Sequence, residues 1–198
     1  MRHYKKIRKK SELCIDAVSK LKQYESACDD ITEYDKLLGL EGTAARVYFP
    51  QMFDNVLWNG RQPRIKANYV NALLDLGYSM LFNMADSMLQ IYGFDTYCGV
   101  YHREFYMRKS LACDVMEPMR PIIDYIVRKG INLKQFKKDD FEVINQRYVL
   151  RYRECSKYVN VFMSGILQYK DEMFLFIQSY YRSFMKSKNI TEYKRFEL

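Results

Sequence analysis

The scarcity of helix-ending residues is the feature that most constrains what this chain can fold into. Eight Gly and 4 Pro occur in 198 residues, so few positions favour tight turns or interrupt a helix. No run alternates apolar and polar residues cleanly enough to indicate a strand. The sequence therefore predicts an all-α fold, a single helical bundle domain built from long helices.

Apolar residues at steps of three and four predict the individual helices. We expect a first long helix over 11–38, with Ser11 as its N-cap and Gly39 as its end, and a second over about 43–58. The stretch 68–92 is apolar on most sides, which is typical of a helix in the centre of a bundle. Further helices are expected, in chain order, from about 110 to 130, over about 139–150 and over 154–187.

The length suits one ordinary domain, and no linker or internal repeat divides it. We expect a single all-helical catalytic domain over 1–198. Its predicted parts are a basic N-terminal arm at 1–10, the first long helix at 11–38, a catalytic core at 39–150 and C-terminal helices at 151–198.

The charge balance indicates a polyanionic partner. A formal net charge of +8 and a pI near 9.1 favour nucleic acid, with a membrane surface as the next possibility. Five cysteines without a C-x-x-C pair suit neither a disulfide framework nor a zinc site. No apolar segment is typical of a signal peptide or a bilayer span, so we expect a soluble protein of the reducing cytoplasm.

Two acids follow one of the two histidines within a helical, apolar run. Asp114 and Glu117 lie three residues apart, hence on one helix surface, and come soon after His102. One interpretation is a solvated helix edge paired with Arg120 or a lysine. Far upstream, Glu41 stands between two glycines at an expected helix start, where capping is its simplest role. These residue types leave a metal site and a structural arrangement both open.

Five short blocks, in order, carry a resemblance to a known family. They are LLGLEGTAARVYF (37–49), WNGRQPR (58–64), NALLDLGYSML (71–81), GFDTYCGVYH (93–102) and SLACDVMEPMRPIID (110–124). Together they resemble the helical domain of the CRISPR-associated adaptation integrases, the Cas-one family, closely over roughly 35–145. The chain is similar to the compact form found in some type V CRISPR systems, which lacks the family's N-terminal β domain.

The resemblance implies a metal-dependent DNA integrase and endonuclease. Such a protein joins the 3′-hydroxyl ends of short DNA fragments to the repeat of a CRISPR array by transesterification. The matching positions imply Glu41, His102 and Asp114 as metal ligands, with Glu117 as a supporting catalytic acid. Two carboxylates and an imidazole suit Mg²⁺ or Mn²⁺. The alternative is a catalytically inactive, basic, helical DNA-binding subunit.

Double-stranded DNA, both the fragment and the repeat, is the implied partner. Candidate DNA-binding residues are Arg46, Arg61, Arg64, Lys66 and Asn71, the arm residues Lys5, Lys6 and Arg8, and later Arg147, Arg151 and Arg153. A homodimer or higher homo-oligomer is expected, and the need for the small partner Cas-two stays open. A tyrosine recombinase is disfavoured because neither histidine begins an H-x-x-R run. An all-α interaction module without nucleic acid is supported only by the long C-terminal helices.

Overall fold

The structure, a computed structural model, describes residues 12–53 and 58–197. The basic arm expected at 1–10, with Lys5, Lys6 and Arg8, lies outside these residues.

The N-terminal region is two helices where one was expected. Helix α1 spans Glu12–Cys28 and helix α2 spans Tyr34–Met52, and the two pack against each other. The prediction of a single helix over 11–38 is therefore wrong. Gly39 lies inside α2, which ends at Met52, before residue 58, because Phe53 is extended with φ −118° and ψ 145°.

Helix α3, Tyr69–Ile91, is the central element, as its apolar composition predicted. The side chain of Asn68 caps its first turn by accepting a hydrogen bond from the Asn71 amide at 2.8 Å. Around α3 pack the short helix α4 (Ser110–Met116), α5 (Arg120–Asn132), α6 (Cys155–Leu167) and α7 (Lys170–Met185).

The helix expected from about 110 to 130 is interrupted between α4 and α5. Residues Glu117–Met119 form a single 3₁₀ turn that contains Pro118, and Pro121 lies in the first turn of α5. Because proline has no amide hydrogen, both positions suit the start of a helical segment. The turn lets the two helices follow one another while α3 packs against both.

A β-hairpin replaces the helix expected over 139–150. Strand β1 (Phe141–Ile144) pairs in antiparallel fashion with β2 (Arg147–Leu150). The two turn residues, Asn145 and Gln146, have φ of 49° and 62°, the backbone that a two-residue hairpin needs. The Tyr148 amide donates to the Lys66 carbonyl at 3.0 Å, which fastens the hairpin beside α3. The fold is predominantly helical, as predicted, and this two-stranded hairpin is the one sheet within the described residues.

A membrane-spanning helix was not expected. Within the described ranges, no helix combines the length and the apolar character that crossing a bilayer requires.

Candidate functional site

The loop between α3 and α4 delivers His102. Its two ends are held together because the Leu111 amide donates to the Thr96 carbonyl at 3.0 Å. Gly99 allows a close approach, since a Cβ there would lie 2.5 Å from the Cβ of Ser110. At the α4 end, Lys109 forms an ion pair with the largely buried Asp86 at 2.7 Å. The chain thus folds the histidine back over the helix that carries Asp114.

Asp114 holds that loop by accepting hydrogen bonds from its main-chain amides. Its Oδ2 accepts hydrogen bonds from the amides of Val100 at 2.6 Å and Tyr101 at 2.9 Å. Its Oδ1 accepts from the amide of His102 at 2.9 Å and lies 2.6 Å from the ring Nδ1 of the same residue. Burial alone would raise the pKa of Asp114, but these hydrogen bonds outweigh it and lower the pKa below its ordinary value.

The imidazole is oriented by this contact. An ionised carboxylate can only accept, so Nδ1 of His102 carries a hydrogen and donates to Asp114. In the neutral ring the lone pair then lies on Nε2, at the opposite edge. The ring nitrogen available for a cation is therefore the one that points away from Asp114.

Glu117 lies one turn beyond Asp114 and accepts a hydrogen bond from Nη1 of Arg120 at 2.9 Å. Burial is the largest cause that raises the pKa of Glu117, and the negative charge of Glu41 raises it further. The charges of Arg120 and His102 act in the opposite direction. Glu117 is thus close enough to Glu41 and to His102 for its charge to interact with each of them.

Glu41 comes from α2, and its link to the loop is a tyrosine. The hydroxyl of Tyr101 donates to Oε2 of Glu41 at 2.9 Å. Burial and this hydrogen bond both raise the pKa of Tyr101. The Tyr101 ring also lies 5.4 Å from that of Tyr34, over which the Arg103 guanidinium packs at 4.5 Å. The loop is therefore fastened to α2 beside Glu41.

The predicted ligands do not share one point in space. His102 contacts Asp114, whereas Glu41 reaches the loop through Tyr101. Across residues 12–53 and 58–197, no three His, Cys, Asp or Glu side chains are placed so that they could hold a metal ion together. The residue types still fit a divalent cation, because the charges of Glu41 and Glu117 repel each other and an imidazole acts on Glu117 as well.

A basic groove of about 1050 Å³ begins at His102 and Glu117 and runs along α3 to the hairpin. Its acids Glu117 and Asp75 are paired with Arg120 and Arg61. Four further cations line it and form no ion pair with any residue that the structure describes: Arg64, Lys66, Arg108 and Arg147. The groove is therefore net positive.

Three of the predicted DNA-binding residues have other placements. Asn71 is fully buried and donates to the Gly60 carbonyl at 3.0 Å. Arg61 donates to Asn71 at 2.9 Å and to Asp75 at 2.6 Å. Both residues thus fold the 60s loop onto α3, which argues against a direct DNA contact. Arg46 is exposed on α2, outside the lining of the groove.

Sequence reasoning missed two contributors to the site, Tyr101 and Arg108. Tyr101 stands next to His102, but in a chain with 18 tyrosines nothing distinguishes it. Arg108 was overlooked among the loop residues although it lines the groove. Its basic neighbour Lys109 offered the only local signal, a run of two cations at a helix start.

Comparisons with known proteins give the class. The profile of the family described as CRISPR associated protein Cas1 matches residues 1–163. A CRISPR-associated endonuclease Cas1 of Leptospira interrogans serogroup Icterohaemorrhagiae serovar Lai is 34% identical over 133 residues, 64% of this chain and 52% of that protein. These matches define a CRISPR-associated protein, and within that class the chain belongs to the Cas1 family.

Solved structures share the fold. A chain of a partial Cas6-RT-Cas1–Cas2 complex superposes with a TM-score of 0.81 at 26% identity, over 92% of this chain and 60% of that one. A casposase bound to integration product gives 0.73 at 22% identity, over 95% and 58%. The present chain spans about half the length of the curated Leptospira relative.

Proposed function

We propose that this chain carries the divalent-metal-dependent active site of a DNA integrase and endonuclease of CRISPR adaptation. It joins the 3′-hydroxyl ends of short DNA fragments to the repeat of a CRISPR array. The observation that carries the proposal is the set of hydrogen bonds by which Asp114 holds the His102 loop and orients the imidazole. Both His102 and Glu117 line the basic groove.

The proposed metal ligands are chosen by asking which side chains still have lone pairs free for a cation. A carboxylate has about four acceptor positions, and the four hydrogen bonds to Asp114 use that many. We therefore assign Asp114 to the orientation of His102, the role that an outer carboxylate has behind a metal-bound histidine. Nε2 of His102, Glu41 and Glu117 would supply the ligands for Mg²⁺ or Mn²⁺, and these three side chains would have to draw together around the ion, because they do not converge on one point in this structure. This exchanges the roles that the sequence implied for Asp114 and Glu117.

The reaction conserves phosphodiester bonds. The 3′ oxygen of the fragment bonds to a repeat phosphorus while the bond from that phosphorus to the 3′ oxygen of the repeat strand breaks. A divalent ion held by these residues would polarise the phosphate and lower the pKa of the attacking hydroxyl. The groove cations Arg64, Lys66, Arg108 and Arg147 bind backbone phosphates and hold the strands in register for that attack.

Partners follow from the neighbours by analogy. One structural neighbour belongs to an assembly with Cas2, and another holds an integration product. We infer that this chain acts on double-stranded DNA as a homodimer or larger assembly in the prokaryotic cytoplasm, with a Cas2 partner as an option.

The test is a joining assay with the purified chain, short 3′-hydroxyl duplexes and a supercoiled plasmid that carries a repeat. We expect joined products with Mn²⁺ or Mg²⁺, none with EDTA, and at least a hundredfold loss in His102→Ala, since removing one ligand disables the site. Glu117→Gln should lose metal affinity as well, measured by calorimetry without DNA. Glu104→Gln, an exposed acid of the same loop, is the matched control and should be unaffected. Joining in EDTA would refute metal dependence, and DNA binding without joining would favour the inactive subunit.

A further inference from the structure

One tyrosine of the central helix touches the network behind Glu117. The hydroxyl of Tyr78 donates to Oδ1 of Asp124, and its ring face lies 4.7 Å from the guanidinium carbon of Arg120. Arg120 in turn donates to Glu117. The buried ring thus lies between the arginine that holds a candidate ligand and a second carboxylate.

Arg120 has two acids within reach of its charge. Arg120 and Asp124 are one turn apart on α5, so their side chains share a face of that helix. Burial would lower the pKa of Arg120, but the negative charges of Glu117 and Asp124 and the hydrogen bond to Glu117 raise it above its ordinary value. Asp124 is 2% exposed, and an ionised carboxylate in such a place strongly attracts a cation.

Two tyrosine hydroxyls satisfy that buried carboxylate without a cation. Tyr78 donates to Oδ1 and Tyr48 donates to Oδ2 at 2.9 Å. Nε of Arg120 is buried and has no hydrogen-bond acceptor among the residues that the structure describes. The Tyr78 ring is the aromatic face on which this guanidinium packs. Without the Tyr78 hydroxyl, Oδ1 of Asp124 would lack this donor and would compete with Glu117 for Arg120.

We propose that Tyr78 is a positioning residue that keeps Arg120 on Glu117 and away from Asp124. The inference rests on the proposed function for its catalytic meaning, because Glu117 matters to the reaction only as a metal ligand. Tyr78 itself touches neither metal nor DNA in this scheme. It sets the direction of a hydrogen bond to a ligand, the kind of support whose loss costs about 10- to 100-fold in metal affinity.

The chain offers a matched pair of variants. Tyr78→Phe and Tyr48→Phe each keep the ring and remove the hydrogen bond to one oxygen of Asp124. The first readout is the Nε–H resonance of Arg120 in a nitrogen-15 spectrum, assigned with Arg120→Lys. We expect this signal to shift or broaden in Tyr78→Phe and to match the unsubstituted chain in Tyr48→Phe.

The second readout is the Mn²⁺ dissociation constant, measured by calorimetry without DNA. Tyr78→Phe should weaken Mn²⁺ binding about tenfold, and Tyr48→Phe should leave it within about twofold. Equal effects of the two variants, or a loss of joining in Tyr78→Phe without a change in the Arg120 signal, would overturn the proposal. If the unsubstituted chain neither binds Mn²⁺ nor joins DNA while Tyr78→Phe still moves the Arg120 signal, the proposed function fails and the positioning role stands.

Discussion

At the residue scale, Asp114 serves the fold and the site at once. Its carboxylate accepts hydrogen bonds from three successive amides of the loop and fixes the orientation of the His102 imidazole. The two roles can be separated because three main-chain amides still hold the loop on Asp114 when the imidazole, which supplies one further hydrogen bond, is removed. Spacing in the sequence identified both residues, but not the partners of Asp114, because every position carries an amide and none is distinctive.

We expect Asp114→Asn to lower the free energy of unfolding by about 2–4 kcal/mol, since an amide side chain turns one acceptor into a donor against partly buried N–H groups. His102→Ala removes only the ring hydrogen bond to Asp114, so it should cost about 1–2 kcal/mol, less than Asp114→Asn, and still abolish joining. Urea unfolding at neutral pH measures both. Equal losses of stability would mean that Asp114 does not hold the loop through its charge.

Asp124 gives a pH dependence of stability. Burial, opposed by the hydroxyls of Tyr78 and Tyr48, raises the pKa of Asp124 from an ordinary value of 3.8 to about 6. Between these values the folded protein keeps a proton that the unfolded chain has lost, so this group contributes stability at low pH that is lost as the pH rises through about 6.

The contribution lost is roughly 3 kcal/mol, because each pKa unit corresponds to about 1.4 kcal/mol. In Asp124→Asn this slope should be absent. The measurement is the difference in unfolding free energy between the two proteins from pH 3.5 to 7. A difference that does not change with pH would contradict a raised pKa for Asp124.

At the element scale, the packing of α3 depends on one glycine. A Cβ at Gly77 would lie 2.5 Å from Ile123 on α5 and 2.7 Å from Phe162 on α6. The three helices therefore approach each other as closely as they do because this position has no side chain.

We expect Gly77→Ala to destabilise the fold by about 1–3 kcal/mol through overpacking. Gly39→Ala is the matched control, because Gly39 also lies inside a helix but a Cβ there would meet no atom within 4 Å. It should stabilise by up to about 1 kcal/mol through helix propensity. Thermal or urea unfolding of both decides, and destabilisation of similar size in both would contradict the packing argument.

Periodicity predicted the elements whose apolar faces are unbroken. Helix α3 was found for that reason, and the C-terminal helices lie within the stretch expected for them. The break between α1 and α2 was missed because Ile31 continues the apolar spacing through the non-helical residues 29–33. The hairpin was missed because Val143 and Ile144 are both exposed, so no alternation is visible. Its turn also lacks the glycine that usually marks a hairpin.

At the scale of the whole molecule, part of the net charge of +8 is concentrated in the groove, where basic side chains outnumber acidic ones. Composition predicted a polyanionic partner but not which cations would face it. Arg61, Asn71 and Arg64 were all predicted from the sequence to bind DNA. The side chains of Arg61 and Asn71 instead form hydrogen bonds that hold the 60s loop on α3, while Arg64 lines the groove. Which cations bind within the protein and which face the groove depends on tertiary contacts, so the spacing of residues in the sequence does not predict it.

We expect DNA binding to weaken steeply with salt, since each neutralised phosphate releases counterions. Arg64→Ala and Arg147→Ala should each reduce the slope of log affinity against log salt concentration by about one. Arg182→Ala removes an exposed cation of α7 outside the groove lining and should leave the slope unchanged. Fluorescence anisotropy with a short duplex measures the slopes, and an equal effect of all three variants would place the DNA elsewhere.

The hydrogen bonds from the loop to Asp114 come from peptide groups, and at Val100 the side chain is 76% exposed. Position 100 should therefore tolerate most substitutions. Proline is the exception, because it has no N–H to donate. A residue two places from the histidine is thus open to evolutionary drift, and relatives could diverge there in what they recognise while the imidazole stays in place.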